Sequence, residues 1–284
     1  MKNLYITAPL PFQGQKRYFA KHYAATLRQM AKTNNITTIV DLFGGSGLLS
    51  RIAKDTLPDC EVVYNDYDDF HKRIVAIPQT NKILADLRSI LSGVPRSQKL
   101  TTIEAKQVCE YLENAGSSID CKTLSSSLLF SGQSAIDING FKSNNMYNSV
   151  RLSDYNADNY LDGLSIVKCD YRELLNKYKD DPTVLFVIDP PYLSTDTKTY
   201  NSDKFWHLRD YLGVLKSLEG INFIYFTSDK SQLIELAEWL GDNYSVNPFA
   251  GAEKITRHNP VSRNASYDDI MLYRCGTPSC LAVV

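Results

Sequence analysis

The sequence predicts a doubly wound α/β domain, interrupted by an inserted, mainly helical lobe and closed by a C-terminal antiparallel hairpin. Three observations predict it. Short β-branched and apolar runs alternate with helix-patterned stretches at both ends of the chain, a glycine-rich turn follows the first such run, and residues 70–160 break the alternation.

Taken in order, Lys16–Met30 reads as a helix because Phe19, Tyr23, Leu27 and Met30 recur at three- and four-residue spacing. Ile36–Leu42 is β-branched and apolar, Phe43-Gly44-Gly45-Ser46-Gly47 breaks it, and Leu48–Ala53 resumes with a helical pattern. Cys60–Tyr64 is a second strand that ends at Asn65-Asp66. This acidic residue falls about 20 positions beyond the glycines, where a carboxylate can hold a ribose.

Residues 70 to about 115 look helical and polar-rich, and 116–160 are rich in Asn, Ser and Asp without strong periodicity. The stretch is too long for a loop, so 70–160 reads as a lobe inserted into a sheet domain made of 1–69 and 161–284. Alternation resumes with strand Leu164–Cys169 ending at Asp170-Tyr171, helix Arg172–Tyr178 and strand Val184–Ile188. Helix Phe205–Leu218, strand Asn222–Thr227 and helix Gln232–Leu240 follow, and Ala252–Arg257 with Asp269–Tyr273 forms the closing hairpin.

Composition bounds the function. With 284 residues, 43% of them hydrophobic, the chain can bury one large core and a smaller lobe. No run approaches a membrane span and Met1–Tyr5 lacks a signal-peptide core, so a cytoplasmic protein with no membrane partner is expected. Cys60, Cys109, Cys121, Cys169, Cys275 and Cys280 show no Cys-x-x-Cys spacing, and there are four histidines; reduced thiols and no metal site are expected. Thirty-one basic against 32 acidic residues give a net charge of −1, so any nucleic-acid contact must come from local patches. Candidates are Lys16, Arg17, Lys21 and Arg28, and Lys254, Arg257, His258 and Arg263, each of which also reads as a solvated face.

The most informative stretch is Asp189-Pro190-Pro191-Tyr192, directly after the apolar Val184–Ile188 run. Two prolines fix their φ angles and remove two donors, so the turn offers carbonyls and a carboxylate, followed by a flat ring. It suits a planar substrate bearing an amino group, although Asp and Pro also end ordinary strands. The glycine loop lacks the lysine of a phosphate-binding loop and the full dinucleotide fingerprint, and so suits an adenosine without a pyrophosphate. Asp66 and Asp170 are candidate acceptors for ribose hydroxyls and an adenine amine, with turn or cap roles as the alternative. In an open α/β sheet these strand ends share one crevice.

The order of these motifs resembles the S-adenosylmethionine-dependent DNA adenine methyltransferases of the Dam-like kind. Pro11-Phe12-Gln13-Gly14-Gln15-Lys16 resembles that family's N-terminal cofactor motif, with Phe12 where tryptophan is frequent and Gln15 where glycine is. Asp41-Leu42-Phe43-Gly44-Gly45-Ser46-Gly47 resembles its glycine loop, Asn65-Asp66 its ribose-binding strand end and Cys169-Asp170-Tyr171 its adenine-contacting motif. Asp189-Pro190-Pro191-Tyr192 resembles its catalytic turn, and Phe141–Asn148 faintly resembles its asparagine-rich recognition segment.

The resemblance implies a Rossmann-like methyltransferase sheet with a target-recognition lobe, and S-adenosylmethionine as cofactor. It implies cofactor contacts from Phe12, Lys16, Asp41, Phe43, Gly44, Gly45, Gly47, Asp66, Asp170 and Tyr171. It implies catalysis by Asp189, Pro190, Pro191 and Tyr192 on an adenine flipped from double-stranded DNA, and leaves open whether a restriction endonuclease is a further partner. Cytosine-N4 methylation, RNA adenine methylation and a catalytically silent nucleic-acid binder are the alternatives.

Overall fold

The computed structural model describes residues 5–116, 119–191, 206–262 and 265–275. They form a seven-stranded sheet built from β1 (Thr38–Asp41), β2 (Glu61–Asn65), β3 (Ser165–Val167), β4 (Val184–Ile188), β5 (Asn222–Ser228), β6 (Glu253–Ser262) and β7 (Ala265–Arg274). The strand order is β3-β2-β1-β4-β5-β7-β6. The first five strands are parallel, and β7 runs antiparallel between β5 and β6. This is an α/β fold of the doubly wound kind, with the expected hairpin at its edge.

Among the described residues the α-helices are α1 (Ala20–Asn34), α2 (Leu48–Thr56), α3 (Phe70–Val75), α4 (Ile77–Ile90), α5 (Thr102–Asn114), α6 (Cys121–Leu128), α7 (Ile138–Lys142), α8 (Tyr171–Tyr178), α9 (Leu208–Lys216) and α10 (Leu233–Tyr244). Strand β4 shows how the sheet sorts them. Leu185 and Val187 enter one core with Tyr23 and Leu27 of α1 and Ile52 of α2. Val184, Phe186 and Ile188 enter the other with Leu174 of α8, Val214 of α9 and Ala237 of α10. A sheet covered on both faces needs apolar residues at successive positions, which is why β4 reads as an unbroken run.

The chain divides into two compact units, one of Met1–Thr7, Gly14–Asp68 and Leu161–Val284, the other of Ala8–Gln13 and Asp69–Tyr160. The sequence reading kept all of 1–69 with the sheet. Ala8–Gln13 instead groups with the lobe, because Arg73 binds the Pro11 carbonyl at 2.9 Å and the Phe12 ring meets Phe70 edge-on at 5.7 Å. The lobe's polar residues are aperiodic partly because they cap helices. Thr101 and Glu104 form a capping box on α5, while Asp120 and Asp137 accept from backbone N–H groups of α6 and α7.

Smaller differences have local causes. Lys16 precedes the first helix, whose opening turn is 3-10 over Arg17–Phe19, and α1 ends at Asn35, which takes the left-handed conformation at φ 49°. Among the described residues, no helix is long and apolar enough to cross a membrane.

The glycine loop packs against β2 without slack. A Cβ on Gly44 would sit 2.3 Å from the Tyr64 ring and 2.8 Å from the Asn65 carbonyl. Gly44→Ala is therefore expected to lower the unfolding free energy by about 1–3 kcal/mol. Gly93→Ala, where nothing lies within 4 Å of the added methyl, should stay within about 0.5 kcal/mol of the parent in the same urea titration.

Candidate functional site

The parallel strands bring their carboxyl ends to one edge of the sheet. Asp41 ends β1 opposite Tyr64 of β2 and Val187 of β4, and Tyr225 of β5 lies opposite Ile188. Chain order reverses between β1 and β4, the position where open α/β sheets form their binding crevice. Asp41 and Asp189 therefore flank the switch point.

Asp189 is held by Lys16, whose Nζ donates to its Oδ2 at 2.6 Å and to the Gly14 carbonyl at 2.9 Å. The two side chains are 7% and 16% exposed. Lys16 is thus a buried ion-pair partner and not a member of a solvated basic patch. The other carboxylate oxygen, Oδ1, is buried with no hydrogen-bond partner among the described residues. Burial pushes the Asp189 carboxyl above the usual carboxylate range, the charge and hydrogen bond of Lys16 oppose this, and Asp269 raises it further. Pro190 and Pro191 follow immediately. Tyr192 lies outside the described residues.

Asp41 is 1% exposed and accepts from the Ser50 hydroxyl of α2 through Oδ2 at 2.6 Å, leaving Oδ1 buried without a partner among the described residues. Burial pushes its pKa up to about 7, against the hydrogen bond from Ser50 and with a further push from Asp189. Gly47 takes φ 71° at the start of α2, a conformation a side chain would strain. Its amide closes the loop on the Gly44 carbonyl at 2.7 Å. Gly45 offers its carbonyl to the Tyr64 hydroxyl at 2.9 Å, and that same hydroxyl lies 3.0 Å from Asp66 Oδ1. One proton cannot serve both acceptors fully.

Asp66 is buried beside β3, its amide donating to the Val167 carbonyl at 2.8 Å. Asn65 locks three segments together. Its amide nitrogen donates to the Leu42 and Cys169 carbonyls, each at 3.0 Å, and its oxygen accepts from the Cys169 amide at 3.2 Å. Asp170 caps α8 by accepting from the Arg172 amide at 2.8 Å and also pairs with the Arg172 guanidinium at 3.1 Å. The cap role foreseen as an alternative is thus occupied, and a ligand amine would share these oxygens.

Phe43 lies 5.0 Å from Tyr171 and 5.5 Å from Trp206, and Trp206 stacks on Tyr171 at 5.7 Å. These rings form a flat-walled aromatic cluster beside the β1 and β3 strand ends. Phe12 belongs to the second unit, against Phe70.

The sequence reading singled out Lys16 without its pairing to Asp189. It missed Ser50, Tyr64 and Trp206, and it named Asn65 with Asp66 without the bonds that Asn65 makes to Leu42 and Cys169.

No protein-family model matches the chain. A protein of Haemophilus influenzae named "Putative methyltransferase" is 32% identical to it over 278 residues, covering 96% of this chain and 94% of that relative. The chain belongs to this methyltransferase family. In this methyltransferase the match runs through both units, including the strand ends described above.

The buried Asp41 generates a pH dependence. Between its unfolded value of 3.8 and about 7, the folded protein holds the proton that the unfolded chain has released. Stability from this group therefore falls as pH rises through that window and levels off above it. The full loss is on the order of 4 kcal/mol. Asp41→Asn, which keeps an acceptor for Ser50, should flatten the decline in urea-unfolding free energy between pH 5 and 8. An unchanged slope would show that Asp41 is not the group responsible.

Proposed function

We propose that this methyltransferase transfers a methyl group from S-adenosylmethionine to the exocyclic 6-amino group of an adenine flipped out of double-stranded DNA. The observation that carries the reading is Asp189. At the end of β4, one oxygen is held by Lys16 at 2.6 Å and the other is buried and unpartnered among the described residues. A buried acceptor left unmet costs about 1–3 kcal/mol, so its place beside the switch point suits an arriving donor. The resemblance of the whole motif order to Dam-like enzymes selects adenine as that donor's parent base.

The residues present fit an adenosyl cofactor. The loop at Gly44, Gly45 and Gly47 presents backbone with no side chains beyond Cα, and Asp66 sits at the β2 end as a ribose acceptor. Phe43 and Tyr171 supply flat faces for an adenine ring, and Asp170 an acceptor for its amine. Asp41 brings a further buried oxygen to the same edge. Lys16 completes the set, and the resemblance of the N-terminal motif alone proposes Phe12 as a further contact. When bound, S-adenosylmethionine supplies an electrophilic sulfonium methyl.

The chain's own groups then act on the amine. An amino group conjugated to its ring is a weak nucleophile, because its lone pair is delocalised. With the Asp189 carboxylate and the Pro190 carbonyl accepting its two hydrogens, the nitrogen is steered toward tetrahedral geometry and its lone pair is freed. Lys16 fixes the carboxylate plane without consuming Oδ1. Tyr192 provides the stacking face, which requires the base to leave the duplex. Residues 70–160 supply recognition, and a restriction endonuclease remains a proposed partner.

Incubation with tritiated S-adenosylmethionine and DNA or RNA should place label on adenine of duplex DNA. Label only on cytosine, or only on RNA, would select one of the neighbouring activities instead. Asp189→Asn, which still offers Lys16 an oxygen, should cut transfer by at least about 10²–10³-fold, while binding of S-adenosylmethionine by calorimetry stays near that of the parent. Asp66→Ala should weaken that binding, and unchanged affinity would remove Asp66 from the ribose role.

A further inference from the structure

Two buried carboxylates flank the switch point, and one of them has no cation. Asp189 is matched by Lys16 at 2.6 Å. Asp41 is 1% exposed, and no ion pair reaches it among the described residues. Its Oδ2 accepts from the Ser50 hydroxyl at 2.6 Å, and its Oδ1 is left without a partner. The titratable groups around it, among the described residues, are Tyr23 of α1, Tyr64 of β2 opposite it in register, and Asp189 after β4 with its Lys16. The Tyr23 hydroxyl is buried and also unpartnered, and burial above all keeps it neutral. Tyr64 shares its hydroxyl between Gly45 and Asp66. All of these residues belong to one compact unit.

This geometry sets how Asp41 is charged. A carboxylate taken out of water, with one oxygen unmet and another carboxylate nearby, is driven toward its neutral acid, while the hydrogen bonds it accepts favour the ionised form. Burial is the largest cause of its rise to about 7, the Ser50 hydrogen bond opposes it and Asp189 adds to it. Lys16 and Asp189 already balance one another. A ligand that brings a further positive charge is matched when Asp41 ionises, whereas a ligand without one leaves Asp41 protonated.

We infer that Asp41 reads the charge of the cofactor: it releases its proton when the sulfonium form binds and recovers one when the methyl group and its positive charge have gone. The inference rests on the proposed cofactor site. Protons balance through the cycle. Binding sends one to solvent. As the N–C bond forms and the C–S bond breaks, the amine gives up one, and the Asp41 carboxylate takes up one as the sulfonium becomes a neutral thioether. The spent cofactor then faces a neutral acid and lacks the charge attraction that held the methylated form.

Calorimetric titration in buffers of different ionisation enthalpy counts the protons exchanged. For the parent, S-adenosylmethionine should release about 0.9 proton per site at pH 6, about 0.5 at pH 7 and almost none by about pH 9. S-adenosylhomocysteine, which has the same amino-acid end and an uncharged sulfur, should release none at pH 6. Asp41→Asn should bind S-adenosylmethionine without the release. Ser50→Ala, which removes a bond that favours the ionised form, should shift the release to higher pH. Binding without proton release would overturn the inference and leave the proposed function standing. So would release retained in Asp41→Asn, or equal release with both ligands, which would assign it to their amino-acid end. A parent protein that binds neither ligand would overturn both.

Discussion

Everything proposed for this protein depends on a buried pair of opposite charges, Lys16 on Asp189 at 2.6 Å. A carboxylate at a strand end among apolar residues is driven toward its neutral form by burial, and Lys16 opposes that drive. Removing one partner of such a pair typically costs about 3–5 kcal/mol, because the other is left buried and uncompensated. The pair also joins residues 173 positions apart in sequence. It therefore sets both the ionisation of the acceptor and the path of the N-terminal segment.

The sheet makes that pair useful. Parallel pairing of β1, β2, β3, β4 and β5 sends the carboxyl end of each of these strands to one edge, and the reversal of order between β1 and β4 leaves Asp41 and Asp189 flanking the position where such sheets bind ligands. Tyr64 and Asn65 then tie the glycine loop, the Asp66 strand end and the Cys169–Asp170 turn into one frame. Asp41 leaves this frame with a proton that is labile near neutral pH. A cationic group bound nearby would favour its ionised form.

What was legible in the sequence follows from periodicity and covalent chemistry. The β-branched run ending at Asp41, the glycines that no side chain can replace and the two prolines after Asp189 announce themselves locally, because each constrains its own backbone. Helix ends were less legible: α1 stops where Asn35 turns left-handed, a cue of one residue. The lobe's aspartates lie in a stretch without strong periodicity and carried no element assignment, whereas Asp120 and Asp137 are helix caps. Contacts between distant segments were not legible at all. Nothing near Lys16 names Asp189, nothing near Pro11 names Arg73, and the Ser50 bond to Asp41 crosses a turn of helix that looks ordinary in the sequence.

The account is tested most directly by determining the structure with S-adenosylmethionine bound. It predicts the ribose hydroxyls on the Asp66 carboxylate, the adenine against Phe43 and Tyr171, and the sulfonium methyl directed toward Asp189 Oδ1, with Lys16 still on Oδ2. A cofactor seated away from the carboxyl ends of β1, β2 and β4, or one that displaces Asp189 from this edge, would contradict it.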